Sequence, residues 1–164
     1  MRVLGIDPGI GCTGYAVLEL KNNKFNLIEL GVIRTSPKDT MPVRLKTIYE
    51  GVSEVIASLE PNEMAIETVF VGKNVQSALK LGHARGAAII AGAIAGLDVQ
   101  EFSPREVKKN IVGTGNATKE QVQFMVKSIL KLEKVPKPND AADAVAIALS
   151  FIQTVKFRDT TKFK

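Results

Sequence analysis

The chain has 164 residues, of which 45% are hydrophobic and 24% are charged. Such a length and composition predict one globular domain with a sizeable core, and they exclude a disordered or low-complexity protein. The 22 basic and 17 acidic side chains give a formal net charge of +5, which favours a polyanionic partner but is weak evidence by itself.

The cysteine content and the N-terminus indicate where the protein works. Cys12 is the only cysteine, so an intrachain disulfide is excluded and an intracellular protein is the simpler interpretation. No signal peptide is indicated, because Asp7 and Pro8 interrupt the apolar run that begins at Val3. The apolar stretch at residues 86–97 is too short to span a bilayer. We therefore expect a cytoplasmic protein.

The first third of the chain predicts strands followed by a helix. Residues 2–7 form an apolar run typical of a buried strand, and residues 8–11 form a turn. Residues 15–20 and 25–34 predict two more strands, joined by a short turn. From Pro42 to Leu59 the apolar residues recur at helical spacing, which predicts the first helix.

Short strands alternate with longer helical segments in the rest of the chain. Ser103 and Pro104 have the residue types typical of an N-cap and a first helical position. Strands are predicted over residues 63–68 and 99–102, and helices over 77–96, from 103 to a break at 113–116, over 118–132, and from 139 or 140 to about 155. This order predicts an α/β fold, in which a mixed sheet is covered by helices. Residues 1–155 form the predicted domain, and residues 156–164 a basic, frayed tail.

Four carboxylates fall where such a fold would bring them together. Asp7 and Glu67 each end a buried strand, while Asp140 and Asp143 open the final helix and share one of its faces. Like charges held this close are tolerated when a cation neutralises them, and Mg²⁺ prefers oxygen ligands of this kind. The pattern therefore predicts a hydrolytic metal site that activates water against a phosphodiester.

Each acid also has a structural interpretation. Asp140 is a suitable helix cap, Asp143 a suitable exposed residue of the first turn, and Asp7 a common residue before a Pro-Gly turn. Glu67 is the hardest to explain in this way, because it lies in an apolar stretch where it needs a partner or a metal ion. Taken together, the four positions favour the metal site.

Other catalytic centres have little support in the sequence. His83 is the only histidine, and it lies in a predicted helix far in sequence from any candidate nucleophile. The turn after Asp7 lacks the Gly-Lys-Ser/Thr of a phosphate-binding loop. Cys12 has no neighbour in the sequence that would lower its pKa, so we interpret it as a packed structural thiol.

Several separate motifs, in the right order, resemble the RuvC family of bacterial Holliday-junction resolvases, which have an RNase H-like fold. The resemblance runs from about residue 2 to residue 152. The motifs are Gly5-Ile6-Asp7-Pro8-Gly9, Thr13-Gly14-Tyr15, Ala65-Ile66-Glu67 with Val69-Phe70, Lys73-Asn74, Ser77-Ala78-Leu79-Lys80-Leu81-Gly82, Ala84-Arg85-Gly86, Val107-Lys108, Gly113, Gly115, Lys119, Gln121-Val122 and Asp140-Ala141-Ala142-Asp143-Ala144.

This resemblance implies a mixed five-stranded RNase H-like sheet with helices on both faces. It places the family's catalytic and metal-binding acids on Asp7, Glu67, Asp140 and Asp143, the positions reached above from the residues alone. It also implies a homodimer that nicks two opposing strands of a four-way DNA junction with Mg²⁺ or Mn²⁺, leaving 5′-phosphate and 3′-hydroxyl ends. The implied partner is a RuvA–RuvB branch-migration complex.

Basic and aromatic residues supply candidate DNA contacts. By resemblance, Phe70 corresponds to an aromatic that stacks on bases at the junction centre, and Lys108 and Lys119 to basic residues near the scissile phosphate. A core position for Phe70 and plain solvation of the lysines are the structural alternatives. The candidate nucleic-acid-binding residues are Phe70, Lys73, Lys80, Arg85, Lys108, Lys109 and Lys119.

The predicted helix at residues 77–96 is the candidate dimer element, because its many Ala and Gly residues permit close approach of a second copy. Packing only on its own sheet is the alternative. Two other functions stay open at this point. One is a related RNase H-like enzyme that acts on RNA or another DNA structure, and the other is a non-catalytic junction-binding protein whose acids are structural.

Overall fold

The computed structural model describes residues 1–68 and 74–161, without the side chains of residues 157–161. Five strands and five helices follow one another in the described part of the chain. They are β1 (Arg2–Asp7), β2 (Cys12–Lys21), β3 (Lys24–Arg34), α1 (Met41–Leu59), β4 (Glu63–Glu67), α2 (Val75–Ile94), β5 (Asp98–Phe102), α3 (Pro104–Val112), α4 (Lys119–Ile129) and α5 (Asn139–Thr161).

The five strands form one mixed sheet in the order β3-β2-β1-β4-β5. The first three strands pair antiparallel, while β1, β4 and β5 pair parallel. This confirms the predicted mixed sheet. In the parallel register Ile6 lies opposite Ile66, so the next residues, Asp7 and Glu67, end neighbouring strands at the same edge of the sheet.

Helices cover both faces of this sheet, as predicted. Along β1, Val3 packs into the core beneath α3, α4 and α5, whereas Leu4 and Ile6 pack into the core beneath α1 and α2. Side chains alternate between the faces of a strand. Asp7 therefore belongs to the face covered by α5, together with Val3, and the same alternation along β4 puts Glu67 on that face.

Helix α5 lies directly against β1 and β2. Its apolar side chains include the fully buried Leu149 and Ile152. The close approach depends on two glycines of the sheet: a Cβ at Gly5 would overlap the carbonyl oxygen of Ala144, and a Cβ at Gly14 would overlap that of Asp140. The first turn of α5 is thereby held against the edge of the sheet where Asp7 lies opposite Gly14.

The ends of α5 differ from the sequence prediction. The helix begins at Asn139, and Asp140 lies within its first turn instead of capping it, because the Ala142 N–H already donates to the carbonyl of Pro138 at 3.0 Å. At the other end the helix continues past Val155 to Thr161, since no Pro or Gly interrupts it there. None of the described helices combines the length and the apolar character needed to cross a membrane.

Candidate metal and DNA site

Three elements deliver the acidic residues to one place. Asp7 and Glu67 end the adjacent parallel strands β1 and β4, both on the face that α5 covers. Asp140 and Asp143 lie one turn apart at the beginning of α5. The structure thus brings together the four acids that the sequence singled out, and we call them the acidic cluster.

Asp7 experiences the negative charges of all three other acids of the cluster. Burial, followed by the negative charges of Glu67, Asp143 and Asp140, raises the pKa of Asp7 to about 7. The positive charge of Lys119 opposes this rise only in part. A carboxylate in such surroundings needs a proton or a cation to offset the repulsion from its neighbours.

Glu67 experiences the same environment from the next strand. Burial is the main reason that its pKa is raised, and the charge of Asp143 adds to the effect, while Lys119 and Lys108 counteract it. Glu67, Asp143 and both lysines line one pocket of about 230 Å³, whose apolar wall includes Val107 and Val122. Carboxylates and ammonium groups therefore share a partly apolar cleft in which electrostatic interactions are stronger than in open water.

Lys119 is fixed at the mouth of this pocket by local structure. It is the first residue of α4, directly after Thr118, whose side chain and that of Gln121 form a reciprocal capping box. The Lys119 Nζ lies 2.6 Å from Asp143 Oδ2, and this hydrogen bond raises the pKa of the lysine. Lys119 therefore supplies a positive charge beside the acidic cluster.

Asp140 has a protein partner that the sequence did not reveal. The Cys12 thiol donates to Asp140 Oδ2 at an Sγ–O distance of 3.3 Å. Burial is the first cause of the raised pKa of Cys12, and the hydrogen bond to Asp140 is the second. Cys12 is thus a protonated thiol in contact with the site, and no local sequence signal could have found this contact between residues so distant in the chain.

The turn after Asp7 is held by its own hydrogen bonds. The buried Thr13 hydroxyl donates to the carbonyl of Gly9 at 2.9 Å and accepts from the Gly9 N–H at 3.3 Å. From α1, Arg44 Nη2 donates to the carbonyl of Ile10 at 3.0 Å. These contacts fix the backbone that follows the Asp7 carboxylate.

The acidic cluster suits an ion that keeps part of its water shell. Within residues 1–68 and 74–161, no group of three or more His, Cys, Asp or Glu side chains is placed so that the group alone could hold a metal ion. Asp143 is engaged by Lys119 and Asp140 by Cys12. Mg²⁺ is commonly bound by one or two carboxylates, waters and substrate phosphates, not by an all-protein cage, so this oxygen-rich but open arrangement fits it.

The structure divides the predicted DNA-binding residues into separate groups. Lys108 and Lys119 line the pocket beside the acidic cluster. Lys80 is exposed on α2, and Lys109 lines a different groove, next to residues 113–115. Arg85 is partly buried and contacts the protein itself, while Phe70 and Lys73 lie outside the described residues.

A mixed sheet of this order, with acids at two adjacent strand ends and on a final helix, is the architecture of RNase H-like nucleases. The RuvC family model, described as crossover junction endodeoxyribonuclease RuvC, matches residues 3–151. The chain therefore belongs to the RuvC family of crossover junction endodeoxyribonucleases, which are metal-dependent nucleases.

Individual relatives agree with this assignment. The crossover junction endodeoxyribonuclease RuvC of Natranaerobius thermophilus is 43% identical over 158 residues, which are 96% of this chain and 98% of the relative. The corresponding protein of Shewanella sp. strain MR-4 is 49% identical over 152 residues, covering 93% and 87%. The structure of Thermus thermophilus RuvC in complex with Holliday junction substrate has a TM-score of 0.91 and 37% identity, with 96% of each chain covered.

Proposed function

We propose that this chain is a structure-selective endonuclease that resolves Holliday junctions in DNA recombination and repair. Paired, metal-dependent nicks in two opposing strands leave 5′-phosphate and 3′-hydroxyl ends. The observation that carries the proposal is the convergence of the acidic cluster around Asp7, whose pKa is raised to about 7 by burial and by the other three acids. The junction complex of the Thermus thermophilus relative supports the same substrate for this chain.

The proposed catalytic residues and metal ligands are Asp7, Glu67, Asp140 and Asp143. We propose Mg²⁺ as the ion, in one or two copies per subunit, with Mn²⁺ as a substitute. A divalent cation held by these carboxylates would supply an activated water and would stabilise the oxygen that leaves the phosphodiester. The carboxylates hold and orient these groups, and the apolar wall formed by Val107 and Val122 limits the access of bulk water.

The lysines of the pocket are proposed phosphate contacts. Lys108 and Lys119 line the same cleft as Glu67 and Asp143. A scissile phosphate bound there would therefore lie beside the two ammonium groups as well as the carboxylates. Lys80 and Lys109 are exposed and suit phosphates further along the DNA arms. For Phe70 and Lys73 the proposal rests on the family resemblance alone, as a stacking residue and a phosphate contact.

We propose that α2 forms a homodimer interface. Its exposed apolar residues include Leu79, Ile90 and Ile94. On the same face, a Cβ at Gly82 or Gly86 would meet nothing within 4 Å among the described atoms, so this surface has room for the close approach of a second helix. A two-fold dimer would present two sites to the two strands of a junction.

The dimer is tested by adding bulk where the single chain has space. Gly86→Leu is expected to leave the fold intact and to give a monomer in sedimentation velocity, while paired nicking becomes single nicking. Lys46→Leu, on the exposed surface of α1, is the matched control and should remain dimeric. A dimeric Gly86→Leu protein would contradict α2 as the interface.

Two broader assignments follow from the sequence and its family resemblance. We propose a RuvA–RuvB branch-migration complex as the partner that delivers junctions. We also propose the cytoplasm as the location, because a single cysteine, Cys12, favours an intracellular protein. Retention of the purified chain on junction DNA loaded with RuvA and RuvB, compared with junction DNA alone, tests the first of these assignments.

Cleavage of a synthetic four-way junction is the central test. The purified protein is incubated with the junction or with a matched linear duplex, in Mg²⁺ or in EDTA, and the product ends are mapped. We expect symmetric nicks only with the junction and Mg²⁺, and ligase should seal them. Binding without cleavage under every metal condition would instead identify a non-catalytic junction-binding protein. Preferential cleavage of an RNA-containing duplex would identify a different nuclease.

A further inference from the structure

Arg85 connects α2 to the strand end that carries Glu67. Its side chain is only 19% exposed, although the sequence makes it a candidate DNA contact. Arg85 Nε donates to the backbone carbonyl of Glu67 at 3.1 Å, and Nη2 lies 2.5 Å from Glu101 Oε2. The guanidinium thus bridges the ends of two neighbouring strands, β4 and β5.

These two acceptors lie where the paired strands β4 and β5 end side by side. Ile66 pairs with Glu101 and Glu67 with Phe102 in the parallel register, and the Thr68 N–H donates to the Phe102 carbonyl at 2.9 Å. The guanidinium is planar, with its donors in a fixed fork, so contact with two acceptors fixes its orientation. The hydrogen bond from this guanidinium to the Glu67 carbonyl restricts the rotation of the backbone that carries the Glu67 side chain.

Charge considerations agree with this geometry. Burial and the negative charge of Asp143 both raise the pKa of Glu67, so the strand end carries a side chain that its neighbours repel. Arg85 holds the backbone of Glu67 and does not touch its carboxylate in the described contacts, which leaves the carboxylate oxygens available for an ion. The same guanidinium is neutralised by Glu101, so its charge is already used within the protein.

We propose that Arg85 is a positioning residue for Glu67, not a contact to DNA phosphate. The proposal rests on the function proposed above, in which Glu67 binds the metal ion. Misplacement of a catalytic group by about 1 Å can cost about a hundredfold in rate. Arg85 therefore acts on catalysis and on metal affinity while leaving junction affinity unchanged.

The test compares Arg85→Gln, Arg85→Lys and Glu101→Gln with a matched arginine control. Arg2 is that control, because its Nε lies 3.1 Å from Glu19 Oε1 and its Nη1 donates to the Leu59 carbonyl at 3.1 Å. It makes the same kinds of contact at the opposite end of the sheet. Measured for each variant are the melting temperature, kcat and KM for junction cleavage, the salt dependence of junction binding in EDTA, and the calorimetric affinity of the DNA-free protein for Mn²⁺.

The expected result separates catalysis from binding. Arg85→Gln lowers kcat by about a hundredfold with KM and the salt dependence of binding unchanged. Its Mn²⁺ affinity falls by about tenfold, the usual order for the loss of a group that orients a ligand. Arg85→Lys fails to restore either property, since an ammonium group lacks the fork. Arg2→Gln loses thermal stability only.

Glu101→Gln keeps the test decisive if Arg85→Gln folds poorly. It leaves the arginine in place, removes its carboxylate partner and makes the surface more basic, so junction binding should tighten while kcat falls. Cleavage that rises together with binding would overturn the proposal. The proposal would also be overturned if Arg85→Gln made the salt dependence of junction binding shallower and Arg85→Lys restored it. An equal loss of kcat in Arg85→Gln and Arg2→Gln would overturn it as well. Failure of the wild-type protein to cut junctions would instead refute the proposed function.

Discussion

The two ends of β1 handle charge in opposite ways. At Arg2 the guanidinium has a carboxylate partner in Glu19 and a carbonyl acceptor at Leu59. At Asp7 acidic side chains gather from other elements, and burial together with their charges raises the pKa of Asp7 to about 7. One end of the strand is electrostatically satisfied and the other is not, as expected where a protein gives up stability for function.

The largest expected effect comes from removing an acid at the unsatisfied end. Asp7→Asn or Glu67→Gln should lower junction cleavage by about a thousandfold, the scale of losing one preorganised electrostatic group in an active site. Junction affinity in EDTA should stay equal or increase, because one negative charge is removed. Glu19→Gln, at the paired end, is the control and should cleave normally. If Asp7→Asn cleaved junctions as fast as the wild-type protein, Asp7 would not be a catalytic residue.

A second change breaks the packing that brings the unsatisfied end together. Gly14→Ala should displace the first turn of α5, because the new Cβ overlaps the Asp140 carbonyl oxygen. We expect a loss of about 1–3 kcal/mol in the free energy of unfolding and a fall in cleavage by about a hundredfold. Gly11→Ala is the control, since among the described atoms its Cβ would meet only Arg44 Nη2, at 3.8 Å. Equal behaviour of the two variants in urea denaturation and cleavage assays would contradict the packing argument.

A third measurement tests how far the ionised Asp7 carboxylate lowers the free energy of unfolding. The unfolded chain gives Asp7 an ordinary, lower pKa, so between that value and about 7 the folded protein binds more protons and its stability falls as pH rises. Asp7→Asn removes this penalty. In EDTA we expect it to raise the free energy of unfolding by on the order of 2 kcal/mol near pH 8, and by little near pH 4. Urea titrations at both pH values measure the difference, and an equal gain at both would rule out the charge of Asp7 as its cause.

The smallest expected effect concerns the cations that border the acids. Lys108→Gln and Lys119→Gln should each make the salt dependence of junction binding shallower, lowering the slope of log affinity against log salt by about one. Lys46→Gln is the control, because Lys46 pairs with Glu50 on the exposed surface of α1. Filter binding over a range of salt concentrations measures the slopes. Identical slopes for all three variants would mean that the pocket lysines do not contact phosphate.

Much of this site could be predicted from the sequence because it depends on periodicity. The apolar runs that end at Asp7 and Glu67 predict strands, and the spacing of Asp140 and Asp143 predicts one helix face. Parallel strands then bring their carboxyl ends to one edge. These are local patterns, and the fold preserves them.

The remaining features depend on contacts between distant parts of the chain. Nothing local indicates that the Cys12 thiol meets Asp140 or that Arg85 turns inward to the Glu67 carbonyl. The sequence makes Arg85 a candidate DNA contact, since it gives the charge of a side chain but not its partner. The sequence also predicts too early an end for α5, near Val155: the residues from Lys156 to Thr161 are mostly polar, yet none of them stops a helix.

Helix α5 has a consequence for protein synthesis. It supplies both the central core packing against the sheet, through residues such as Leu149 and Ile152, and the acids Asp140 and Asp143. Every strand leaves the ribosome before this helix does. A nascent polypeptide that stops short of α5 therefore lacks two of the four acids of the acidic cluster, Asp140 and Asp143, together with the helix that packs on β1 and β2. We therefore expect a chain that terminates before Asn139 to be both inactive and unstable.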